Sequence, residues 1–326
     1  MGFQAGWNHG HHELMTPSLN LVFAGTPRFA VSTLDKLVEA GFSISLVVTQ
    51  PDRPSGRGME LTASPVKQRG RQLGLPISQP EKIKGNQDFR AQLAALRPDA
   101  IIVVGYGRII PPWMIDLPRF GNVNLHASLL PKYRGAAPIQ WAIASGETVT
   151  GVTTMRINLG LDAGDILQQK PVPIAAEETA ESLAPRLASI GAELMIDTLK
   201  GLEAGTILPC PQDDSRATLA PSLKKEDGRI DFARSAQEIW NRLRGFQPWP
   251  GAFTNFRGKN LQIWEAKPME KQVPPAAIQT EHESLLVGCG SNTALELLVV
   301  QPEGKRRMSA RDFLHGHRLR PGELLG

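Results

Sequence analysis

Short apolar runs alternate with segments of helical periodicity through the first part of the chain. The runs LNLVFAGTP, FSISLVVTQ and AIIVVGYG are typical of buried strands that end in a turn or a loop. The segments RFAVSTLDKLVEAG and NQDFRAQLAALRPD carry apolar residues at helical spacing. Strands that alternate with helices of about ten residues or more indicate an α/β fold with a doubly wound, Rossmann-like, largely parallel sheet.

A different pattern follows a segment rich in proline and polar residues. The helix-like stretch AQEIWNRLRGF leads into short β-like runs such as AFTNFRG, LQIWEA and SLLVGCG, which predict a small, OB-like β-barrel. We therefore expect a first domain over 18–206, a linker over 207–222 and a second domain over 223–326. Residues 1–17 lack the apolar core of a signal peptide, and we interpret them as an N-terminal extension or a tag remnant.

Composition limits the class of protein. With 41% hydrophobic and 21% charged residues, the chain resembles neither a disordered protein nor a coiled coil. Its strongest apolar run, DAIIVVGYGRIIPPWMI, is broken by Arg108 and a proline pair, so we expect no membrane association. Cys210 and Cys289 lie far apart without metal-ligand spacing, which predicts a reduced, cytoplasmic protein without a metal site. The formal charge of +4 favours an anionic partner without identifying it.

Asn124 and His126 lie at the end of a predicted strand in NVNLHASLLPKYRG. One residue separates them, so their side chains share a face of the strand. In open α/β sheets, ligands bind beyond the carboxyl ends of the strands. An amide and an imidazole converging there could hold an oxyanion, and histidine can also move a proton near neutral pH. Spacing alone supports this interpretation and that of a buried structural histidine equally.

Asp162 lies in a second polar segment, NLGLDAGDILQQK, between two glycines. A carboxylate on such a loop could orient His126 and favour its charged form. An Asx-type turn leading into the next element is the commoner use of aspartate. From the residues alone, the turn is the better-supported interpretation.

Five segments together identify a family. NVNLHASLLPKYRGAAPIQWAI, GVTTMRINLGLDAGDIL, VFAGTP, TQPDRPSGRG and GFQPWPGAF closely resemble the methionyl-tRNA formyltransferases, in order from about residue 19 to residue 320. The Asn-x-His-x-Ser-Leu-Leu-Pro and Asp-x-Gly elements are shared by the wider group that uses 10-formyltetrahydrofolate. PDRPSGRG and FQPWPGAF narrow the resemblance to the tRNA enzymes.

The resemblance implies a reaction and a site. Asn124, His126 and Asp162 are then the catalytic residues: the first two stabilise the developing oxyanion, and Asp162 orients His126 and a proton-carrying water. The amino group of methionine on initiator methionyl-tRNA would take the formyl group of 10-formyltetrahydrofolate, giving N-formylmethionyl-tRNA for translation initiation. The family's folate-binding turn corresponds to Ser128, Leu129, Leu130 and Pro131, with the pterin near VVGYGRIIP.

Basic residues predict where tRNA binds. The resemblance assigns Arg57, in PDRPSGRG, to a contact with the acceptor stem. Cationic residues concentrate over 50–73, over 224–259 and in GKRRMSARDFLHGHRLR, and Lys224 and Lys225 open the second stretch. The second domain would therefore be the tRNA-binding domain, and we expect the protein to act as a monomer.

The sequence can be compared with three alternatives to this function. An NAD-dependent oxidoreductase would need G-x-G-x-x-G at the first strand–helix turn, where this chain has AGTPRFA. A non-catalytic RNA-binding module would leave Asn124, His126 and Asp162 without a role. Another 10-formyltetrahydrofolate-dependent formyltransferase or hydrolase remains the alternative, and the PDRPSGRG loop and basic C-terminal domain argue against it.

Overall fold

The computed structural model describes residues 18–55, 60–320 and 322–326. The predicted N-terminal extension and Arg57 lie outside the described residues.

Strands and helices alternate in the first part of the chain and strands dominate the second. The strands are β1 (Asn20–Gly25), β2 (Ser43–Val48), β3 (Arg53–Ser55), β4 (Glu60–Thr62), β5 (Ile77–Ser78), β6 (Ala100–Val104), β7 (Asn122–His126), β8 (Val149–Arg156), β9 (Ile166–Pro173), β10 (Ala252–Phe256), β11 (Lys259–Met269), β12 (Ile278–Glu281), β13 (Ser284–Cys289), β14 (Thr293–Pro302) and β15 (Met308–Ser309). The helices are α1 (Arg28–Glu39), α2 (Pro65–Gln72), α3 (Gln87–Leu96), α4 (Pro112–Ile115), α5 (Pro138–Ala144), α6 (Ala180–Glu203), α7 (Ala236–Gly245) and α8 (Ala310–Gly316), and short 3-10 helices span Asp214–Arg216 and Lys225–Gly228.

Side-chain caps fix where several helices begin. Asn86 precedes α3, and its side-chain oxygen accepts a hydrogen bond from the backbone N–H of Phe89 at 3.0 Å. Ser235 and Glu238 form a capping box at the start of α7, in which each side chain bonds the other residue's backbone N–H. These bonds satisfy N–H groups that the first turn of a helix leaves without partners.

The main sheet has the strand order β5-β2-β1-β6-β7-β8-β9. The strands from β5 to β7 run parallel, whereas β7 pairs antiparallel with β8, and β8 antiparallel with β9. The predicted α/β, Rossmann-like fold is confirmed. The sheet is mixed, because GVTTMRINLGLDAGDIL supplies an antiparallel pair at one edge that the sequence analysis did not assign.

Helices cover both faces of this sheet. Leu21 and Phe23 of β1 join the core that includes residues of α1 and α6, whereas Val22 and Ala24 join the core that includes residues of α3. Alternate side chains of a strand point to opposite faces. Because both faces are buried, the strand is a continuous apolar run in the sequence rather than an alternating one.

The second part of the chain forms an antiparallel sheet in the order β10-β11-β14-β13-β12, with β15 beside β14. Ile239 and Leu243 of α7 and Phe313 of α8 lie in its core. Register shifts between Ile263 and Ala266 interrupt the pairing of β11 with β14. The expected small β domain is confirmed. Among the described strands no pairing joins β10 to β12, so the sheet is an open form of the expected barrel.

The two parts of the chain are in direct contact. The rings of Trp141 in α5 and Phe246 after α7 meet edge to face at 5.3 Å between centroids. Trp141 also donates its indole N–H to the carbonyl oxygen of Pro221 at 2.9 Å. The segment predicted as a linker forms isolated β-bridges with the first part of the chain, at Cys210 with Ile166 of β9 and at Leu219 with Arg134, which follows β7. In the described part of the chain, no helix is both long and apolar enough to span a bilayer.

Candidate active site

The carboxyl ends of the parallel strands meet at one edge of the main sheet. Beyond β1, the hydroxyl of Thr26 donates to the carbonyl oxygen of Tyr106 at 3.1 Å, and the amide of Gln50, beyond β2, donates to the same oxygen at 2.8 Å. Val103 of β6 pairs with Asn124 of β7, so these two strands end side by side. The predicted location of Asn124 and His126, at the ligand-binding edge of the sheet, agrees with this arrangement.

The side chain of Asn124 is available to a ligand. It is half-buried, and within the described residues its amide has no hydrogen-bond partner. Asn122, two positions earlier on the same face, is 1% exposed and donates to the carbonyl oxygen of Met114 at 2.8 Å. Two asparagines of one strand thus have different surroundings, and only the amide of Asn124 is open at the sheet edge.

His126 is buried between two oxygen atoms of the chain, with 6% of its surface exposed. Its Nε2 donates to the carbonyl oxygen of Tyr133 at 2.8 Å, since a carbonyl can only accept. Its Nδ1 lies 3.6 Å from Oδ2 of Asp162, which is longer than a hydrogen bond. Nδ1 is therefore the ring nitrogen that can exchange a proton, and a carboxylate faces it.

Asp162 lies on the loop between β8 and β9. Its backbone φ is +45°, a conformation that few residues other than glycine adopt, although aspartate tolerates it better than most. Its Oδ2 accepts a hydrogen bond from the backbone N–H of Gly135 at 2.8 Å. Gly164 must be glycine, because a Cβ there would overlap the carbonyl oxygen of Arg156. The fold thus brings Asp162 to His126 from a distant part of the sequence.

The predicted folate-binding turn contains two buried residues that form internal hydrogen bonds and two that are partly exposed. Ser128 is fully buried, and its hydroxyl donates to the carbonyl oxygen of Lys132 at 2.6 Å. Leu130 is 3% exposed, and its backbone N–H donates to the hydroxyl of Thr153 at 3.2 Å. Leu129 and Pro131 are half-buried. The first two residues therefore stabilise the turn, and the other two offer an apolar surface.

This turn lines a cavity of about 420 Å³. The lining residues are Leu129, Leu130, Pro131, Lys132, Tyr133, Glu147, Val149, Thr150, Gln169 and Arg216. Thr150 is 4% exposed, and its hydroxyl has no hydrogen-bond partner among the described residues. Burial raises the pKa of Tyr133 to about 12, and its hydroxyl donates to Glu147 at 2.9 Å. The lining combines apolar side chains of the turn and Val149 with polar and charged ones, and none of Asn124, His126 and Asp162 belongs to it as described. The volume of the cavity is in the range of small-molecule sites.

The segment VVGYGRIIP, predicted to lie near the pterin, is absent from the described lining of this cavity. Tyr106 is 1% exposed, its hydroxyl has no partner in the described part of the chain, and burial raises its pKa to about 12. Ile109, by contrast, is 93% exposed.

Several lining residues were missed by the sequence analysis. Thr150 belongs to β8 and Gln169 to β9, the antiparallel pair that was not assigned. QQKPVPI shows no regular alternation of polar and apolar residues, so no periodicity in the sequence identifies β9.

The basic stretches contribute fewer free charges than their composition indicates. Lys67 is 8% exposed and bonds Asp52 at 2.6 Å, and Arg69 bonds Asp35 at 2.6 Å. Both residues belong to the basic stretch over 50–73, and their internal ion pairs make them less available to phosphate.

In the second stretch, arginines also serve the fold. Arg244 is 7% exposed and donates to the carbonyl oxygen of Glu178 at 2.8 Å, and Arg257 pairs with Glu323 at 2.5 Å. Lys224 and Lys225 are exposed and form no ion pair with the described residues. They remain available to an anionic partner.

Comparison with known proteins places these features in a family. The model described as "Formyl transferase" matches residues 19–199, and that described as "Formyl transferase, C-terminal domain" matches residues 222–318. A methionyl-tRNA formyltransferase of Koribacter versatilis is 65% identical over 94% of this chain and 98% of its own. The corresponding protein of Acidobacterium capsulatum is 59% identical over 94% of this chain and 100% of its own.

A solved structure shares the fold at much lower identity. It is an N-formyltransferase from Helicobacter canadensis in complex with folinic acid and dTDP-3-aminofucose. The likeness has a TM-score of 0.66 and 18% identity, and covers 87% of this chain and 99% of that one.

Proposed function

The chain belongs to the methionyl-tRNA formyltransferase family, and we propose that it transfers the formyl group of 10-formyltetrahydrofolate to the amino group of methionine on initiator methionyl-tRNA. The product is N-formylmethionyl-tRNA, which serves translation initiation. The observation that carries this function is the arrangement of Asn124, His126 and Asp162 at the ligand-binding edge of the sheet. An amine that attacks a formyl carbon brings its own nucleophile, so the site needs no serine or cysteine.

The roles of these three residues follow from their surroundings. 10-Formyltetrahydrofolate supplies the activated formyl group. Asn124 donates from its open amide to the formyl oxygen as negative charge develops there. His126 accepts at Nδ1 the proton that the attacking amine loses, and Asp162 stabilises the resulting imidazolium from 3.6 Å. From this separation the two groups can draw together into a direct hydrogen bond. A proton-carrying water would lie beside the pair, because 3.6 Å is too short to hold one between the two atoms. The bond between the formyl carbon and the folate nitrogen then breaks, and that nitrogen takes up a proton.

The folate co-substrate binds at the turn of Ser128, Leu129, Leu130 and Pro131. The cavity of about 420 Å³ beside the turn supports this assignment, because it combines an apolar wall with the unpartnered hydroxyl of Thr150. The solved relative with 18% identity holds folinic acid, a folate, on the same fold.

Initiator tRNA is the macromolecular partner. We assign its contacts to Arg57 and to the exposed Lys224 and Lys225, with residues 223–326 as the tRNA-binding domain after a linker at 207–222 and a catalytic domain at 18–206. Cations that contact phosphate give an affinity that falls with salt. We also propose that the protein acts in the cytoplasm as a monomer.

The test is formylation of charged tRNA by the purified protein. We expect formyl transfer to initiator methionyl-tRNA that requires 10-formyltetrahydrofolate, and far less transfer to elongator methionyl-tRNA. Release of formate from the folate without transfer to tRNA would instead indicate a hydrolase.

A further inference from the structure

The side chain of Gln212 joins the interdomain segment to the loop that carries Asp162. Its Nε2 donates to the carbonyl oxygens of Asp162 at 2.8 Å and of Gly164 at 2.7 Å. Its Oε1 accepts from Nε of Arg134 at 3.0 Å and from Nη2 of Arg134 at 2.7 Å. These four bonds use both donors and both lone pairs of the amide.

Arg134 is itself held in place. Its side chain is 10% exposed and also bonds Asp214 at 2.7 Å. Its backbone N–H donates to the carbonyl oxygen of Thr218 at 2.8 Å, and its own carbonyl oxygen accepts from Ala220 at 2.7 Å. The interdomain segment therefore fixes both the backbone and the side chain of Arg134.

The two groups that Gln212 bonds, the loop of Asp162 and the side chain of Arg134, are also connected through the carboxylate of Asp162. Gly135 follows Arg134 and donates its N–H to Oδ2 of Asp162 at 2.8 Å. A closed path thus runs from Gln212 through the backbone of Asp162 to its carboxylate, then through Gly135 and Arg134 back to Gln212. The carboxylate that faces His126 is located from both sides.

The backbone of Asp162 is in a conformation that aspartate adopts more readily than most residues but less readily than glycine, with φ at +45°. The bonds of Gln212 and Gly135 help to hold the loop in this conformation. Relaxation of the loop would move Oδ2 away from His126. A misplacement of about 1 Å at a catalytic group can lower a rate about 10²-fold.

We propose that Gln212, from the segment between the two domains, is a positioning residue that holds Asp162 in register with His126. This inference rests on the proposed function of the same site. The interdomain segment is then part of the catalytic machinery rather than only a connection.

The test compares Gln212→Glu and Gln212→Ala with wild type. Glu at this position keeps the length and the acceptors for Arg134 but presents no N–H to the two carbonyl oxygens. We expect kcat to fall about 10- to 100-fold in both variants, while KM for the folate and for tRNA changes little. Ser215→Ala is the matched control, because Ser215 lies in the same segment and bonds only Asp213 among the described residues. It should retain the wild-type kcat.

Hydrogen–deuterium exchange without substrate gives a second readout that does not depend on the reaction. Exchange of peptides covering 134–136 and 158–165 should rise in both Gln212 variants and not in the control. A higher KM with unchanged kcat would overturn the proposal, as would unchanged exchange of these peptides or a uniform rise across the whole chain. If wild type forms no formylmethionyl-tRNA while the loop still responds to Gln212, the proposed function fails and the positioning of Asp162 stands.

Discussion

Asn122 and Asn124 lie on the same face of β7, two positions apart, and only one of them is committed to the fold. The amide of Asn122 is buried against the carbonyl oxygen of Met114, whereas that of Asn124 is open to the sheet edge. The same substitution at each position therefore distinguishes an amide that stabilises the fold from one that we propose acts in the reaction.

We expect Asn124→Ala to lower kcat about 10²–10³-fold, the usual effect of removing one oxyanion donor, with the free energy of unfolding nearly unchanged. Asn122→Ala should instead lower the free energy of unfolding by about 1–3 kcal/mol, because buried carbonyl oxygens lose their donor. Steady-state kinetics and urea unfolding of both variants measure these effects. Near-normal turnover in Asn124→Ala would contradict the catalytic assignment.

Asp162→Asn removes a charge while keeping the geometry of the loop. Asparagine tolerates a positive φ as aspartate does, and its remaining oxygen can accept the N–H of Gly135. We expect a large fall in kcat and a small change in KM for the folate, because the lost interaction acts mainly in the transition state. Weaker folate binding with unchanged kcat would instead make Asp162 a ligand-binding or structural residue.

At the scale of elements, helices α5 and α7 join the two parts of the chain and pack closely against each other. A Cβ at Gly245 of α7 would lie 2.6 Å from the carbonyl oxygen of Gln140 and 2.8 Å from the backbone nitrogen of Ala144. Glycine there allows the two helices to approach closely.

Gly245→Ala should therefore destabilise the protein by about 1–3 kcal/mol, the usual range for overpacking. Gly316→Ala is the matched control, since no atom lies within 4 Å of a Cβ at that glycine. Thermal unfolding of both variants measures the difference. An equal Tm for Gly245→Ala and wild type would show that the helices move apart at little cost.

At the scale of the whole molecule, the interdomain segment contributes to the catalytic side of the chain. Thr218 accepts a hydrogen bond from Arg134, and Ala220 donates one to it. A truncated chain that ends at Ala217 would lack both contacts, whereas one that ends at Ser222 keeps them.

We expect the chain truncated after Ser222 to bind the folate and to lose most of its affinity for tRNA. The predicted folate-binding residues precede the cut, and the exposed Lys224 and Lys225 follow it. The chain truncated after Ala217 should bind folate more weakly than the longer one. Folate titration and tRNA filter binding at several salt concentrations measure both effects. Equal tRNA affinity with and without residues 223–326 would refute this division of labour.

Local sequence patterns determined the fold class and the position of the candidate site. Continuous apolar runs predict strands buried on both faces, and the described sheet confirms this for β1, β2 and β6. The sequence also predicted that Asn124 and His126 lie at the edge of the sheet. It could do so because residues near in sequence decide where β7 ends. The catalytic, folate-binding and tRNA-binding roles of individual residues stay predictions.

Only the tertiary structure decided which groups meet across long stretches of chain. Gln212 bonds the carbonyl oxygen of Asp162 across 50 positions, and Lys67 is taken out of solvent by Asp52. A local pattern cannot predict such pairs, because the two partners are far apart in the sequence. Each side chain is an ordinary polar residue until packing buries it beside its partner. The sequence shows that a residue carries a charge or an amide, and the packing of distant segments decides whether that group faces a substrate or another part of the chain.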